Sequence, residues 1–282
     1  MTNKLGGKAV KAIDTAGKVV LTGKLKRYID VNTDFGQTRD RAFFEQDASR
    51  LLSAVSSVNI PCCVHDGDPA LICEAMAVAS AHHCAVGAHI GYPDPVHYGY
   101  ERLDISTDAL TAWIHVQLGA FHALAATQSV EVAHVRPHGA LYGAFVEDFD
   151  HALIVAKAII AFNPWLTLLA PAGPVLTRLV EETGLRAAPE IYLGKRYDGE
   201  GCLSRALFND DLNPQGALDQ ARQLVQESAL TSADGRLTPV SFRSLHISPR
   251  LDGASELAES VYGLIGQPVC LPIAAIGESG WV

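Results

Sequence analysis

From residue 28 onward, short apolar runs alternate with longer segments whose apolar residues recur every three or four positions. The strand-like runs are "RYIDVNTDFG", "SSVNIPCCVHDGDP", "CAVGAHIGYPD", "VEVAHVRPHGALY", "WLTLLAPAG", "AAPEIYLGKRY" and "PVSFRSLHIS", and a late run, "PVCLPIAAI", offers an eighth. Between them lie segments such as "PALICEAMAVASAHH" and "DALTAWIHVQLGAFHALAATQ". In the second, Leu110, Ile114, Leu118, Phe121 and Leu124 fall on one helical stripe. Strand, loop and helix in repetition, with apolar strands, predict parallel strands covered on both faces. Seven or eight units favour an α/β fold of the single-domain β/α barrel type over an open doubly wound sheet. No glycine-rich phosphate or dinucleotide loop follows the first strand. The expected organisation is an N-terminal arm or hairpin over residues 1–28 and a barrel domain over residues 29–282.

Composition narrows the function classes. The formal net charge of -9, without a long basic block, disfavours nucleic acid and anionic membrane as partners. No apolar stretch reads as the ~20 residues of a membrane span, and the lysine-containing N-terminus lacks the continuous apolar core of a signal peptide. The six cysteines, Cys62, Cys63, Cys73, Cys84, Cys202 and Cys270, form no C-x-x-C pair and mostly sit in apolar runs. They read as buried thiols of a cytoplasmic protein.

The polar residues then change the picture. Almost every strand-like run ends in them: Asn32, Asp34 and Gln37; Asn59, His65, Asp66 and Asp68; His89, Tyr92 and Asp94; Arg136, His138 and Tyr142; Glu190, Lys195, Arg196 and Tyr197; His246 and Ser248. In a parallel barrel the strand C-termini converge on one face, so these groups meet in space. Within "HVRPHG", residues 134, 136 and 138 point the same way until the turn. Pro137 stiffens the exit and Gly139 permits the turn. His65, His89, His138 and His246, each at the end of a different strand, are a coincidence that packing alone does not demand. His82, His83, His115, His122 and His151 lie in helical patterns and read as surface or packing residues.

These blocks resemble the LamB/YcsF family, which includes the A-type component of 5-oxoprolinase. "IDVNTDFGQ" is similar to the family's "DLNADLGE", "SSVNIPCCVHDGDP" to "SSANIACGFHAGDP", and "HVRPHGALY" to "HVKPHGALY". "VGAHIGYPDPVHYGYERLDIS" and "EIYLGKRYDGEGCLSR" also resemble family blocks in the same order, from Ile29 to about Ser248. The resemblance implies a barrel of the glycoside hydrolase/deacetylase type and a hydrolase opening a small cyclic amide. It also implies ATP as co-substrate and two partner subunits. On that reading Asp34, His65, His89, His138 and His246 are the catalytic candidates, with Asp34 and His65 as base and water-positioning groups. Asn32, Asp68, Tyr92, Asp94, Arg136, Tyr142 and Glu190 are the substrate-binding candidates, with Arg136 a fixed cation for a carboxylate or phosphoryl group.

The sequence also departs from the family. Gln37 stands where the family has Glu, Arg136 where it has Lys, and Leu193-Gly194-Lys195 where it has "ADR". Tyr100-Glu101-Arg102 lacks the first arginine of its block, and His246-Ile247-Ser248 replaces "HGD". Two further readings therefore stay open at this level. One is a stand-alone metal-dependent hydrolase or deacetylase, with Asp34, His65 and His89 as a weak ligand triad for a divalent ion. The other is a non-catalytic binding subunit on the same scaffold.

Overall fold

The computed structural model describes residues 11–13, 19–21, 29–38, 48–204, 206 and 211–265. Two short strands, β1 (Lys11–Ile13) and β2 (Val19–Leu21), pair antiparallel with each other. The late run "PVCLPIAAI" lies outside the described residues.

Seven parallel strands close into a barrel: β3 (Asp30–Asp34), β4 (Ser57–Pro61), β5 (Ala85–Ile90), β6 (Val132–Pro137), β7 (Thr167–Pro171), β8 (Ala187–Tyr192) and β11 (Ser244–His246). β11 pairs with both β8 and β3, so the ring closes with seven strands and leaves no gap for an eighth. The seven strand-like runs before the late one each hold one barrel strand. A small antiparallel pair, β9 (Ala229–Thr231) and β10 (Leu237–Pro239), stands beside the barrel before β11.

Helices cover the outside: α1 (Ala48–Leu52), α2 (Pro69–Ala81), α3 (Thr107–Thr127), α4 (Gly139–Glu147), α5 (Phe149–Phe162), α6 (Pro174–Thr183), α7 (Pro214–Glu227) and α8 (Ala254–Ile265). Their starts follow local chemistry. Asp68 caps α2 and Asn213 caps α7, each followed by proline at the first helical position, where a missing N–H costs nothing. α3 is, by length and composition, apolar enough to cross a membrane, contrary to the expectation that no stretch qualifies. Its stripe of Leu110, Ile114, Leu118 and Phe121 is instead buried in the core, which accounts for its apolarity.

Two buried glutamines tie the shell to the strand exits. Gln117 on α3 accepts from the Gly91 N–H and donates to the Gly91 carbonyl, both at 2.9 Å. Gln220 on α7 does the same job after β8, accepting from the Gly194 N–H at 3.0 Å and donating to the Lys195 carbonyl at 2.9 Å. Each satisfies backbone groups that the end of a strand would leave unpaired.

The strands alternate. Val31, Val58, Ile60, Val86, Ala88, Val135 and Leu245 form the apolar core with the helices, while their neighbours in sequence point to the barrel axis. Those inward residues are polar: Asp30, Asn32 and Asp34; Ser57 and Asn59; His89; His134 and Arg136; Glu190; Ser244 and His246, all buried. Apolar side chains ordinarily fill such an interior, so this one carries an internal polar network. The cysteines divide: Cys62 and Cys84 are buried, but Cys73 and Cys202 are half-buried and Cys63 is exposed, so the buried-thiol expectation fails for those three. None of these five described cysteines forms a disulfide; Cys270 lies outside the described residues.

Candidate functional site

At the base of the barrel Asp30 accepts hydrogen bonds from Ser56 at 2.6 Å, Ser57 at 2.8 Å and Ser244 at 2.6 Å. Burial raises its pKa to about 6, against the lowering effect of those three hydroxyls. Ser244 in turn accepts from Asn32 Nδ2 at 2.8 Å.

Asn32 is the hub of the next layer. Its amide nitrogen also donates to Glu190 at 2.9 Å, and its oxygen accepts from Asn59 at 2.8 Å and from His246 Nδ1 at 2.7 Å. That pattern fixes the histidines. With its proton on Nδ1, His246 presents the bare Nε2 to the site, and Nε2 has no hydrogen-bond partner among the described residues. His134 Nε2 likewise donates to Asn59 Oδ1 at 2.9 Å. Burial pulls His134 down to about 3 and His246 to about 4, so both are neutral near pH 7. Gly87 makes room for His134: a Cβ at position 87 would lie 2.1 Å from Nε2.

Arg136 and Glu190 form the charged centre. The guanidinium donates through Nε at 3.0 Å and Nη2 at 2.9 Å to Glu190, and through Nη1 at 3.3 Å to Asp34. Tyr142 adds a fourth hydrogen bond to the Glu190 carboxylate, at 2.7 Å, and lies under the guanidinium, 4.6 Å from ring centroid to Cζ. Burial pushes the Glu190 pKa up, but Arg136 and the hydrogen bonds outweigh it and hold the carboxylate ionised.

Above them, at the C-terminal mouth, sits Asp34. It accepts from Asn59 Nδ2 at 3.1 Å, lies 3.4 Å from His89 Nε2 through Oδ1, and 3.8 Å from His246 Nε2 through Oδ2. Burial opposes its charge, yet His89, His246, Arg136 and His138 together hold it well below the ordinary carboxylate range. Its side chain is 12% exposed, against 0% for His89 and His246, so it is the outermost member of this inner cluster. His138 Nδ1 meets His89 Nε2 at 2.9 Å, and His65 stacks flat on His138 with ring centroids 4.4 Å apart and 11° between planes. Both ring nitrogens of buried His65 lack a hydrogen-bond partner among the described residues. The turn after His138 needs its glycine: Gly139 has φ +50°, and a Cβ there would lie 2.5 Å from the Gly99 carbonyl oxygen.

The structure therefore brings Asn32, Asp34, His65, His89, Arg136, His138, Tyr142, Glu190 and His246 into one buried cluster. Three candidates sit differently. Asp68 is exposed, and its carboxylate accepts from the Ala70 and Leu71 N–H groups as the α2 cap, apart from the buried cluster. Asp94 holds the following loop by accepting from the His97 backbone and ring. Tyr92 is fully buried, and its hydroxyl has no hydrogen-bond partner among the described residues. As for the metal triad, among the described residues no group of three or more His, Cys, Asp or Glu is disposed to hold a metal ion. His89 turns its Nε2 to His138, and the His65 ring stands 5.9 Å from His89, nearly perpendicular to it.

Asp30, His134, Asn59 and Tyr192 are members of the interior that the strand-end rule did not assign a role. Their signal was alternation, since Asp30-x-Asn32-x-Asp34 and His134-x-Arg136 are polar at every second position of buried strands. At the rim, Gln37, the residue that replaces the family's glutamate, accepts from Arg250 Nη2 at 3.1 Å. A cavity of about 400 Å³ opens beside Tyr192 and Ser248 and is lined also by Lys195, Asn213 and Arg250.

Comparison with known proteins agrees with this architecture. The model of the LamB/YcsF family matches residues 29–269. The chain is 33% identical over 246 residues to an A-type 5-oxoprolinase subunit of Pseudomonas syringae pv. tomato, covering 86% of this chain and 94% of that one. It is 32% identical over 235 residues to the A-type 5-oxoprolinase subunit of Chloroflexus aurantiacus, covering 83% and 92%. Among solved structures it is similar to a lactam utilization protein from Thermus thermophilus, with a TM-score of 0.77, 32% identity, and 87% and 99% of the two chains covered.

Proposed function

The chain belongs to the LamB/YcsF family, and from that membership we propose that it opens a small cyclic amide of the 5-oxoproline kind by hydrolysis. It works as the A-type subunit of an ATP-linked system with two partner subunits. The carrying observation is that Asp34, held ionised, stands between His246 Nε2, which has an open lone pair, and the His89–His138 pair. An amide carbonyl resists attack by water because resonance stabilises it. Phosphorylation of its oxygen would make the carbon electrophilic. The chain has no phosphate-binding glycine loop, so the nucleotide site belongs to a partner subunit.

Within this chain the roles follow from protonation. A carboxylate held as far below its usual range as Asp34 is a poor base, so it orients and stabilises charge instead. His246 is the better acceptor. Its proton is fixed on Nδ1 by Asn32, and Nε2 faces Asp34 across 3.8 Å, so a water that donates to both from the side of the pair would be the nucleophile. Arg136 and Glu190 act as an internal ion pair that holds this geometry, since Nε and Nη2 of Arg136 donate to Glu190 and Nη1 to Asp34.

The test is to assay the purified chain, with and without the partner subunits of a working relative, for ATP-linked opening of 5-oxoproline and other lactams. Turnover that falls on His246→Gln supports the reading. No turnover of any cyclic amide, where the relative's own A-type chain works in the same mixture, overturns it.

A further inference from the structure

Three contacts tie His89 and His138 into one unit. His89 Nδ1 lies 3.1 Å from the Arg136 carbonyl oxygen, and His138 Nε2 lies 2.9 Å from the Tyr98 carbonyl oxygen. The two remaining nitrogens, His89 Nε2 and His138 Nδ1, are 2.9 Å apart. A carbonyl oxygen only accepts, so each of the first two contacts needs a ring N–H. A neutral imidazole has one such proton, and both rings have then placed theirs. The remaining nitrogens would meet lone pair against lone pair at hydrogen-bonding distance. One additional proton turns that repulsive contact into a hydrogen bond.

Charge balance asks for the same proton. Asp34 and Glu190 are two ionised carboxylates, and Arg136 supplies one positive charge between them. All three are buried, and a buried charge needs a partner. The groups facing the dyad are Asp34 from β3, His65 and Asp66 from the loop after β4, Arg136 from β6, His246 from β11 and Tyr100 from the loop after β5. Burial is the largest effect and draws each ring, taken singly, below the ordinary imidazole range. Arg136 acts the same way on both, and the His138 and His246 rings do so on His89. Asp34 opposes it for both, and the Tyr98 carbonyl and Asp66 oppose it for His138, so it is the three contacts that call for the shared proton. Sharing one charge over two rings, 3.4 Å from Asp34 Oδ1, meets the demands of both the contacts and the charge.

We propose that His89 and His138 share a single proton in an N–H···N hydrogen bond, forming a resident imidazolium dyad paired with Asp34 that supplies the acid for the amide nitrogen. Only the acid role rests on the lactam-opening reading; the shared proton does not. In the hydrolytic step the water oxygen bonds to the carbonyl carbon, and its proton passes to His246 Nε2. The C–N bond of the O-phosphorylated amide breaks with its electron pair going to nitrogen, which takes the dyad's proton and leaves two neutral rings. The hydroxyl left on carbon gives its proton to a phosphoryl oxygen, and a second water cleaves the resulting acyl phosphate to carboxylate and inorganic phosphate. The proton on His246 then returns to the dyad through Asp34, whose two oxygens face the two sides. Asp34 is thus the conduit that resets the acid from the base.

The experiment is nitrogen-15 NMR on the ligand-free full chain labelled at histidine. The expected result near neutral pH is three ring N–H protons over the two rings. One of them should lie far downfield and show scalar coupling between His89 Nε2 and His138 Nδ1, and both rings should lose it together as pH rises. His138→Gln assigns the signal by abolishing it, and the wild-type spectrum decides alone if that variant fails to fold. One proton on each ring at every pH at which the chain stays folded overturns the proposal. So does a stoichiometric divalent metal in the purified protein with both facing nitrogens unprotonated. Because no substrate is present, loss of the lactam reading leaves this outcome intact, and loss of the dyad leaves turnover to be judged on its own.

Discussion

Replacing Glu190 by glutamine tests whether the barrel interior is held by its ion pair. The carboxylate accepts from Asn32 Nδ2, from Arg136 Nε and Nη2, and from the Tyr142 hydroxyl, at 2.7 to 3.0 Å. A glutamine can accept on one side only. With its NH₂ at the Oε2 position it meets two donors, Asn32 and Arg136 Nε; with its NH₂ at the Oε1 position it meets Arg136 Nη2 and Tyr142. Either orientation leaves Arg136 short of one negative charge. Removing one partner of a buried ion pair costs about 3–5 kcal/mol. At about 1.4 kcal/mol per decade this raises the unfolded-to-folded ratio roughly a hundred- to several-thousand-fold. For 282 residues, an unfolding entropy of about 2.1 cal/mol/K per residue makes it a fall of roughly 5–8 °C in Tm. Urea unfolding at about pH 7, followed by fluorescence of the three tryptophans, reads it directly. The pH matters: the folded-state pKa of Glu190 is depressed, so its contribution is present above the unfolded value and is lost as pH falls through the folded one. Arg136→Met and the double variant complete a cycle, and the double should be less destabilised than the two singles summed. A Glu190→Gln protein within about 1 kcal/mol of wild type, below the range for a broken buried pair, would refute the reasoning.

Other expectations are as direct. Gly87→Ala should cost about 2–4 kcal/mol, because the new methyl displaces His134 from Asn59 and strands buried polar atoms; adding His134→Ala should remove most of the penalty of the glycine change, as urea unfolding would show. Asp30 has a folded pKa raised to about 6, so its favourable contribution is complete below the unfolded value near 4 and is lost as pH rises through about 6. The stability of Asp30→Asn relative to wild type should therefore improve by about 2 kcal/mol from pH 4 to pH 7, and a flat difference would show that the serines fully accommodate the charge. If His246 is the base, His246→Gln should lower kcat by about 10²–10⁴-fold with KM little changed, and an unaltered kcat would remove it from the chemistry.

Seven of the strand-like runs, the barrel class and the ring of strand-end imidazoles were legible in the chain because each has a local signature, while the count stayed open between seven and eight until the ring closed. Apolar runs of strand length alternate with helical stripes, and polar residues recur where those runs stop. "DVNTD" and "HVRPH" even carried the inward alternation. What the chain could not display is which polar groups have partners. Asp68 sits at a strand exit like Asp34, yet one caps a helix and the other faces three histidines, since that depends on which way the next helix starts. Arg136 is an apt substrate clamp until Glu190, 54 residues later, takes up its Nε and Nη2 in a two-point ion pair. The tautomers of His246 and His134 are set by Asn32 and Asn59, and the contact between His89 and His138 spans 49 positions. Residue type and spacing were thus fixed locally, whereas proton positions and charge pairing exist only once barrel closure brings distant strands within hydrogen-bonding reach.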